Sequence, residues 1–323
     1  MSRFAKLFQE MTQEDFQHAG GKGANLGELT KAGFAVPPGF CVCCEVLPYV
    51  LQKNGLQEKI SAIAATFDYE DFADVDKKSA EIRFLVDSAA IPPEVEAEIR
   101  TAIGQLLSDG DTSVAVRSSC AVKGSDVSSF PGMMDTYHFI KGEGEIIRHI
   151  RMCWASLWTS RAVHARHNKG VDHELGLIAP VVQKMVNPEV AGILFTANPI
   201  TSCKDEIVIE SNWGLGESVV SGKSMNDFFM LDKAGLEIKT RKISKKTVMI
   251  TIDRETGTGR KEYKVPADLM EATTISDEQV LELGRTGLNI ENLFGYPQDI
   301  EWSYENGKLY ILQSRKIRTL KEQ

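Results

Sequence analysis

Apolar residues recur along this chain with two different spacings, and the change from one to the other divides it. In residues 145–168, Ile146, Ile150, Trp154, Leu157 and Trp158 fall at helical spacing and predict one helix. Residues 277–294 repeat the pattern with Val280, Leu283, Ile290 and Leu293, interrupted by Gly284 and Gly287. A shorter helix is expected over residues 24–32, closed by Gly33. Residues 51–107 read as helical and charged, broken at Pro92-Pro93. Residues 114–117 are strand-like, and a loop of small residues is expected over 118–132. From Ile178 the apolar residues gather into short runs, which predict strands over 180–186, 192–196, 206–211, 227–231 and 245–252. The chain closes on 299–304, a turn at Asn306-Gly307, and 309–315, which reads as a hairpin. This is an α+β pattern without the regular βαβ alternation of a Rossmann sheet. It predicts two lobes, residues 1–179 and 180–323.

Charge and composition narrow the function classes. The net charge is −8, which argues against a general nucleic-acid binder and still allows a local basic pocket. No run of about 18 apolar residues occurs, so no membrane span is expected. The first residues lack the apolar stretch of a secretory signal, and a cytoplasmic location is expected. The six cysteines include Cys41, Cys43 and Cys44 in one run, but no second Cys or His pair at zinc spacing completes a ligand set. The run follows Pro37-Pro38-Gly39-Phe40 and reads as a buried strand.

Six segments carry candidate chemistry. Gly20-Gly21-Lys22-Gly23 opens a helix; its backbone N–H groups and the helix end favour an anion. A lysine there is unfavourable without that anion, so Lys22 either meets a phosphate or is exposed in a turn. Arg117 ends an apolar strand in Val116-Arg117-Ser118-Ser119, where it meets either phosphate or a rim carboxylate. Residues 128–136, with Gly132, Met133, Met134, Asp135 and Thr136, form a turn able to wrap phosphate oxygens, or an ordinary loop. The strand around Gln183, Met185 and Val186 either offers backbone groups to an adenine edge or is plain core. Glu210 and Glu217 flank a glycine-containing turn, Trp213-Gly214-Leu215-Gly216, that either holds a ribose or only shapes the backbone. Asp299 and Glu301 alternate with apolar residues and share a strand face, which suits Mg²⁺ or is merely solvated.

Together and in this order, the stretches GGKGANLGEL, VPPGF, VRSS, SFPGMMDTY, GILFTANPIT, WGLGESVVSG and DIEW…LYILQSR resemble the nucleotide-binding domain of the phosphoenolpyruvate synthase and pyruvate phosphate dikinase family, which includes rifampicin phosphotransferase. The resemblance spans the chain nearly end to end. Gly132-Met133-Met134-Asp135-Thr136 is nearer the dikinase form; the WGLGE segment and the terminal hairpin are nearer the synthase form. It implies a two-lobed ATP-grasp fold holding MgATP. It implies that Lys22, Arg117 and Arg315 contact phosphates and that the loop from Gly132 to Thr136 covers them. It further implies that Gln183, Met185 and Val186 line the adenine site, and that Glu301 and Gln313 hold Mg²⁺ with Asp299 nearby. Glu217 is expected among the nucleotide contacts.

Enzymes of the family pass a phosphoryl group to a histidine on a swivelling domain and then to a small-molecule acceptor. None of the six histidines here has that sequence context. The resemblance therefore implies a histidine-bearing partner domain or subunit, as in phenylphosphate synthase, with phenol, pyruvate or another hydroxyl compound as acceptor and AMP and phosphate released. A natural subunit, read from Met1 and the charged tail, is the expectation; a piece of a full-length phosphoenolpyruvate synthase, a regulatory nucleotide sensor and a self-contained kinase are the alternatives. For the hairpin, a three-residue loop Glu305-Asn306-Gly307 is expected. It pairs Glu301 with Ile311 and Asp299 with Gln313, on one face with Arg315. A two-residue loop would pair Glu301 with Leu312 and turn Gln313 to the opposite face.

Overall fold

The computed structural model of the chain describes residues 3–108, 110, 112–123, 135–317 and 320. The fold is mixed α and β, and it divides into two units: Met1–Lys31 with Pro38–Met185, and Ala32–Pro37 with Val186–Gln323.

The first unit contains β1 (Ala5–Leu7), α1 (Phe16–Lys31), β2 (Gly39–Val42), α2 (Val46–Lys53), α3 (Gln57–Ala64), α4 (Phe72–Ser88), α5 (Pro93–Leu106), β3 (Val114–Val122), β4 (Thr136–Ile140), α6 (Glu143–Ser156), α7 (Ser160–Asn168) and β5 (Gly176–Lys184). Its sheet has the order β1-β2-β5-β3-β4, antiparallel throughout. Alternation along β3 gives the sheet two different faces. Val114, Val116, Cys120 and Val122 join the core with Ile146, Ile150, Cys153 and Trp154 of α6. Each such buried side chain contributes about 1.5–3 kcal/mol. Ala115, Arg117, Ser119 and Ala121 point the other way, toward α1. β3 runs on through Ser118–Val122, where a loop was expected, because those small residues pair along 176–180 of β5.

The helix expected over 145–168 is two helices. Thr159 accepts a hydrogen bond from the N–H of Ala162 (3.3 Å) and starts α7 afresh. A side chain that caps the backbone competes with helix continuation even where the apolar period persists. The Cys41–Cys44 run is buried, as expected, with Cys41 in β2. Burial pushes its thiols up from the usual range, that of Cys43 to about 12.

The second unit contains β6 (Val190–Phe195), β7 (Glu206–Trp213), α8 (Glu217–Val220), β8 (Asp227–Asp232), β9 (Ile238–Lys242), β10 (Val248–Ile252), β11 (Arg260–Lys264), α9 (Asp277–Phe294), β12 (Gln298–Glu305) and β13 (Lys308–Lys316). Six strands form an antiparallel sheet ordered β13-β12-β6-β7-β8-β9; β10 and β11 pair separately. The boundary expected at 179/180 falls inside β5, which pairs with β2 and β3 of the first unit; the units part at 185/186 instead. Residues 32–37 belong with the second unit, and the Ala35 carbonyl accepts from the Ile311 N–H (2.9 Å).

α9 has the bounds its periodicity predicts. Ser276 and Gln279 form its capping box, and Gly295 closes it at φ 76°. Its two internal glycines answer to packing. A Cβ on Gly287 would lie 2.7 Å from Leu194 Cδ2, and one on Gly284 3.0 Å from Leu231 Cδ2. The strand expected over 245–252 begins only at Val248. Lys246 is instead drawn inward, fully buried, to donate to Asp227 Oδ1 (2.6 Å). Asp227 also accepts from the N–H groups of Ser244 and Thr274 and from the Thr274 hydroxyl.

Candidate functional site

The first unit gathers Arg117, Thr136 and Gln183 by register. Arg117 pairs with Val181 of β5 and with Thr136 of β4, and Gln183 lies two residues along from Val181. All three side chains leave the sheet on the α1 side. Arg117 Nη1 lies 3.4 Å from Gln183 Oε1, and Gln183 is buried.

α1 is fastened to this face at one point. The helix breaks at Gly20 (φ 64°, ψ 172°), and the Ser119 hydroxyl reaches into the break. Ser119 Oγ accepts from the N–H groups of Lys22 (3.0 Å) and Gly23 (3.2 Å) and donates to the Ala19 carbonyl (2.7 Å). This corrects the sequence reading of the glycine run. The two helix-end amides are already taken by Ser119, and Gly20 is there because any Cβ would meet Ser119 Oγ at 2.4 Å. Those two amides are therefore not open to an anion; Lys22 carries its positive charge on the same turn. Its charge lies close enough to Cys120 to oppose the burial that lifts that thiol to about 12.

Asp135 sits beside Thr136, with Arg161 Nη2 3.5 Å from its Oδ1 and the Tyr137 hydroxyl 3.3 Å from its Oδ2. Gly132, Met133 and Met134 lie outside the described residues. Met185 and Val186 follow β5, one on each side of the unit boundary; the Met185 N–H bonds to the Ser113 carbonyl (2.9 Å).

In the second unit the hairpin departs from its expected register and still reaches the expected face. The loop has two residues, Asn306 (φ 52°) and Gly307 (φ 73°), and Glu305 pairs with Lys308. The ladder then runs to Trp302 opposite Ile311. There the register shifts by one residue at a bulge that includes Leu312, so that Glu301 stands opposite Gln313 and Asp299 opposite Arg315. Asp299, Glu301, Gln313 and Arg315 therefore share one face. On the other, Ile300, Trp302 and Tyr304 are buried, and the Tyr304 hydroxyl donates to Glu282 Oε2 of α9 (2.6 Å).

Arg315 Nε donates to Asp299 Oδ2 (2.8 Å), while Asp299 Oδ1 is buried with no hydrogen-bond partner among the described residues. Burial raises the Asp299 pKa above the ordinary carboxylate value, with Arg315 pulling against it. A buried carboxylate oxygen left open in this way is relieved by a proton, a water or a cation. Two carboxylates and an amide on one face are an all-oxygen donor set that fits Mg²⁺, a cation usually bound by one or two carboxylates plus substrate phosphates. Among the described residues no group of three or more His, Cys, Asp or Glu side chains could hold a metal unaided. Glu217 stands in the first turn of α8, and Arg260 of β11 forms an ion pair with its carboxylate. Sequence reading did not foresee Arg260. Glu210 lies on the Asp299–Glu301 face, across β6 from Glu301, and accepts from Asn226 Nδ2 (2.9 Å).

One unit thus presents Arg117 and an amide on a sheet face, with Lys22 on the helix fastened to that face; the other presents oxygens suited to a hard cation. Residues 16–323 match the family described as pyruvate phosphate dikinase, AMP/ATP-binding domain, and the chain belongs to that family. It is 39% identical to phosphoenolpyruvate synthase of Pyrococcus furiosus, over 99% of this chain and 44% of that protein. It is 40% identical to a probable phosphoenolpyruvate synthase of Methanocaldococcus jannaschii, over 99% and 27%. It is 39% identical to rifampicin phosphotransferase of Bacillus cereus, over 99% and 36%. The chain spans less than half the length of these relatives. Among solved structures, a D-alanine–D-alanine ligase of Bacillus anthracis aligns at a TM-score of 0.26 and 8% identity, over 70% of this chain and 56% of that one, too low a score to carry the fold. Among the described residues no helix is long and apolar enough to cross a membrane.

Proposed function

We propose that the chain is the ATP-binding, phosphoryl-donating module of a dikinase-type phosphotransferase, built as an ATP-grasp fold. The observation that carries this reading is the bulged hairpin, which sets Glu301 opposite Gln313 beside the open Oδ1 of Asp299. These three residues would hold Mg²⁺, which when bound supplies charge neutralisation at the phosphate oxygens. Lys22, Arg117 and Arg315 would neutralise and align the phosphates. Asp135 and Thr136 would border the covering loop with Gly132, Met133 and Met134, and Glu217 would contribute on the nucleotide side. Gln183, Met185 and Val186 would border the adenine. Such groups act by orientation and preorganised charge, because phosphoryl transfer asks for little covalent chemistry from the donor side.

The phosphoryl group would pass to a histidine on a separate domain or subunit, and then to pyruvate, phenol or another small-molecule acceptor, with AMP and phosphate released. This part rests on family membership and on the resemblance to phosphoenolpyruvate synthase, rifampicin phosphotransferase and phenylphosphate synthase. The protein would work in the cytoplasm. Calorimetry with MgATP tests the donor side. Lys22→Ala and Glu301→Gln are each expected to weaken binding about tenfold or more, the scale of a charge-assisted hydrogen bond. Affinities matching the parent in both variants would refute the site. Product analysis tests the rest. ADP as the sole nucleotide product would make the chain a simple kinase. Steady conversion of an acceptor by this chain alone would remove the partner.

A further inference from the structure

Away from the proposed nucleotide residues, the first unit encloses a cavity of about 430 Å³, within the size range of small-molecule sites. Its floor is apolar. Leu47 and Leu51 of α2, Ile60 of α3, Trp158 and Ile178 are each no more than 6% exposed. Its rim is polar and comes from the turn before β5, where Asp172, His173 and Glu174 succeed one another. The Ser61 hydroxyl of α3 donates to Glu174 Oε1 (2.7 Å) and ties the two sides of the mouth together.

The charge of that rim is of one sign. Among the described residues that line the cavity, Asp172 and Glu174 are the acidic side chains, and there is no lysine or arginine. His173 is uncharged near neutral pH. Arg166 Nε donates to its Nδ1 (3.0 Å), which leaves Nε2 facing the Tyr69 hydroxyl (2.5 Å), and burial holds its pKa down to about 4. The Arg166 guanidinium, which meets His173, does not line the cavity. It is fully buried, donates to the Leu157 carbonyl (2.7 Å) and lies 5.2 Å from the Trp158 ring centroid. An apolar floor under two exposed carboxylates suits a ligand with a hydrocarbon body and a cationic head. An anion of the same shape would meet like charge.

We propose that this cavity is a second ligand site, distinct from the nucleotide residues, and that it takes a small organic amine, its hydrocarbon body on the Leu47–Ile60–Trp158 floor and its ammonium group at Asp172 and Glu174. The proposal does not depend on the nucleotide reading, and binding is measured without nucleotide. The full chain is titrated near pH 7.5 with 2-phenylethylamine and, separately, with 3-phenylpropionate, a body of similar size with opposite charge. The amine should bind and the carboxylate should not. Glu174→Gln and Asp172→Asn retain the hydrogen bond to Ser61 and the cap on the Glu174 N–H, and each should weaken the amine about tenfold. Ala64→Trp at the cavity wall should abolish binding while the melting temperature stays near that of the parent. Equal binding of amine and carboxylate, no binding of the amine, or an affinity indifferent to both acid replacements would overturn the proposal.

Discussion

Gly20→Ala should damage both the stability of the first unit and the placement of Lys22. The new Cβ would stand 2.4 Å from Ser119 Oγ and 2.8 Å from the Ser119 carbonyl carbon, and the second of these is backbone that cannot rotate away. The conformation itself, φ 64° and ψ 172°, lies in a region nearly exclusive to glycine and costs a side chain about 1–3 kcal/mol. Displacing Ser119 weakens up to three hydrogen bonds at about 1 kcal/mol each. With two or three of those bonds weakened the total is about 3–6 kcal/mol, a large part of the roughly 5–15 kcal/mol that stabilises a typical domain. Gly33→Ala is the control. Gly33 also has a positive φ, 84°, but nothing lies within 4 Å of its Cβ position, so only the backbone penalty of about 1 kcal/mol applies. Urea denaturation of both variants separates the two effects. In a Ser119→Ala background Gly20→Ala should cost less than in the parent, because the hydroxyl clash is gone. A Gly20→Ala protein no less stable than Gly33→Ala would refute the fastening at Ser119.

Lys246→Met should destabilise the second unit by about 3–5 kcal/mol, since it leaves the buried Asp227 carboxylate without its cation, and Lys246→Met with Asp227→Asn should recover much of the loss in the same urea assay. His173 predicts an acid-side loss. Its folded pKa of about 4 lies below the ordinary 6.5, so protonation favours the unfolded chain; the contribution is complete above pH 6.5, falls away toward pH 4 and is flat below. Allowing for its partial exposure, the effect is about 1–2 kcal/mol, and His173→Gln should flatten that stretch of a stability-versus-pH curve. Asp299→Asn should weaken Mg²⁺-dependent ATP binding about tenfold or more while leaving thermal stability equal to or above that of the parent, because burial already opposes the charge there. A loss of stability without a loss of binding would reverse that reading.

How much was legible in the sequence depended on whether the cause lay within the element itself. α9 was legible through the spacing of Val280, Leu283, Ile290 and Leu293, a signal carried within the element itself. Its glycines looked like weaknesses because their cause, Leu194 and Leu231, sits on other strands. β9 and β11 gave no signal at all; they are short, exposed and rich in lysine and arginine, as sheet margins tend to be. Lys22 and Arg117 stood out through their own neighbours. The Ser119 contact that joins their segments spans nearly a hundred residues and involves a residue type common in any loop. In the hairpin the loop length was misjudged because Asn306-Gly307 satisfies a two-residue turn by itself, and the face came out as expected only because a bulge supplies the odd residue.

That odd residue gives the hairpin an uneven tolerance to loss. Between Glu301 and Gln313 the chain carries one residue more than a regular ladder with a two-residue turn needs, and the surplus is Leu312. Removing Leu312 alone would leave every remaining cross-strand partnership in place, with Glu301 still opposite Gln313. Replacing it with any other residue keeps the surplus. A deletion, usually the harsher lesion in a strand, is therefore here the conservative one for register. What it takes away is the local bend and added twist that a bulge brings. A protein lacking Leu312 would thus pull apart two properties that the native hairpin supplies together: which side chains are neighbours, and the direction in which they are aimed.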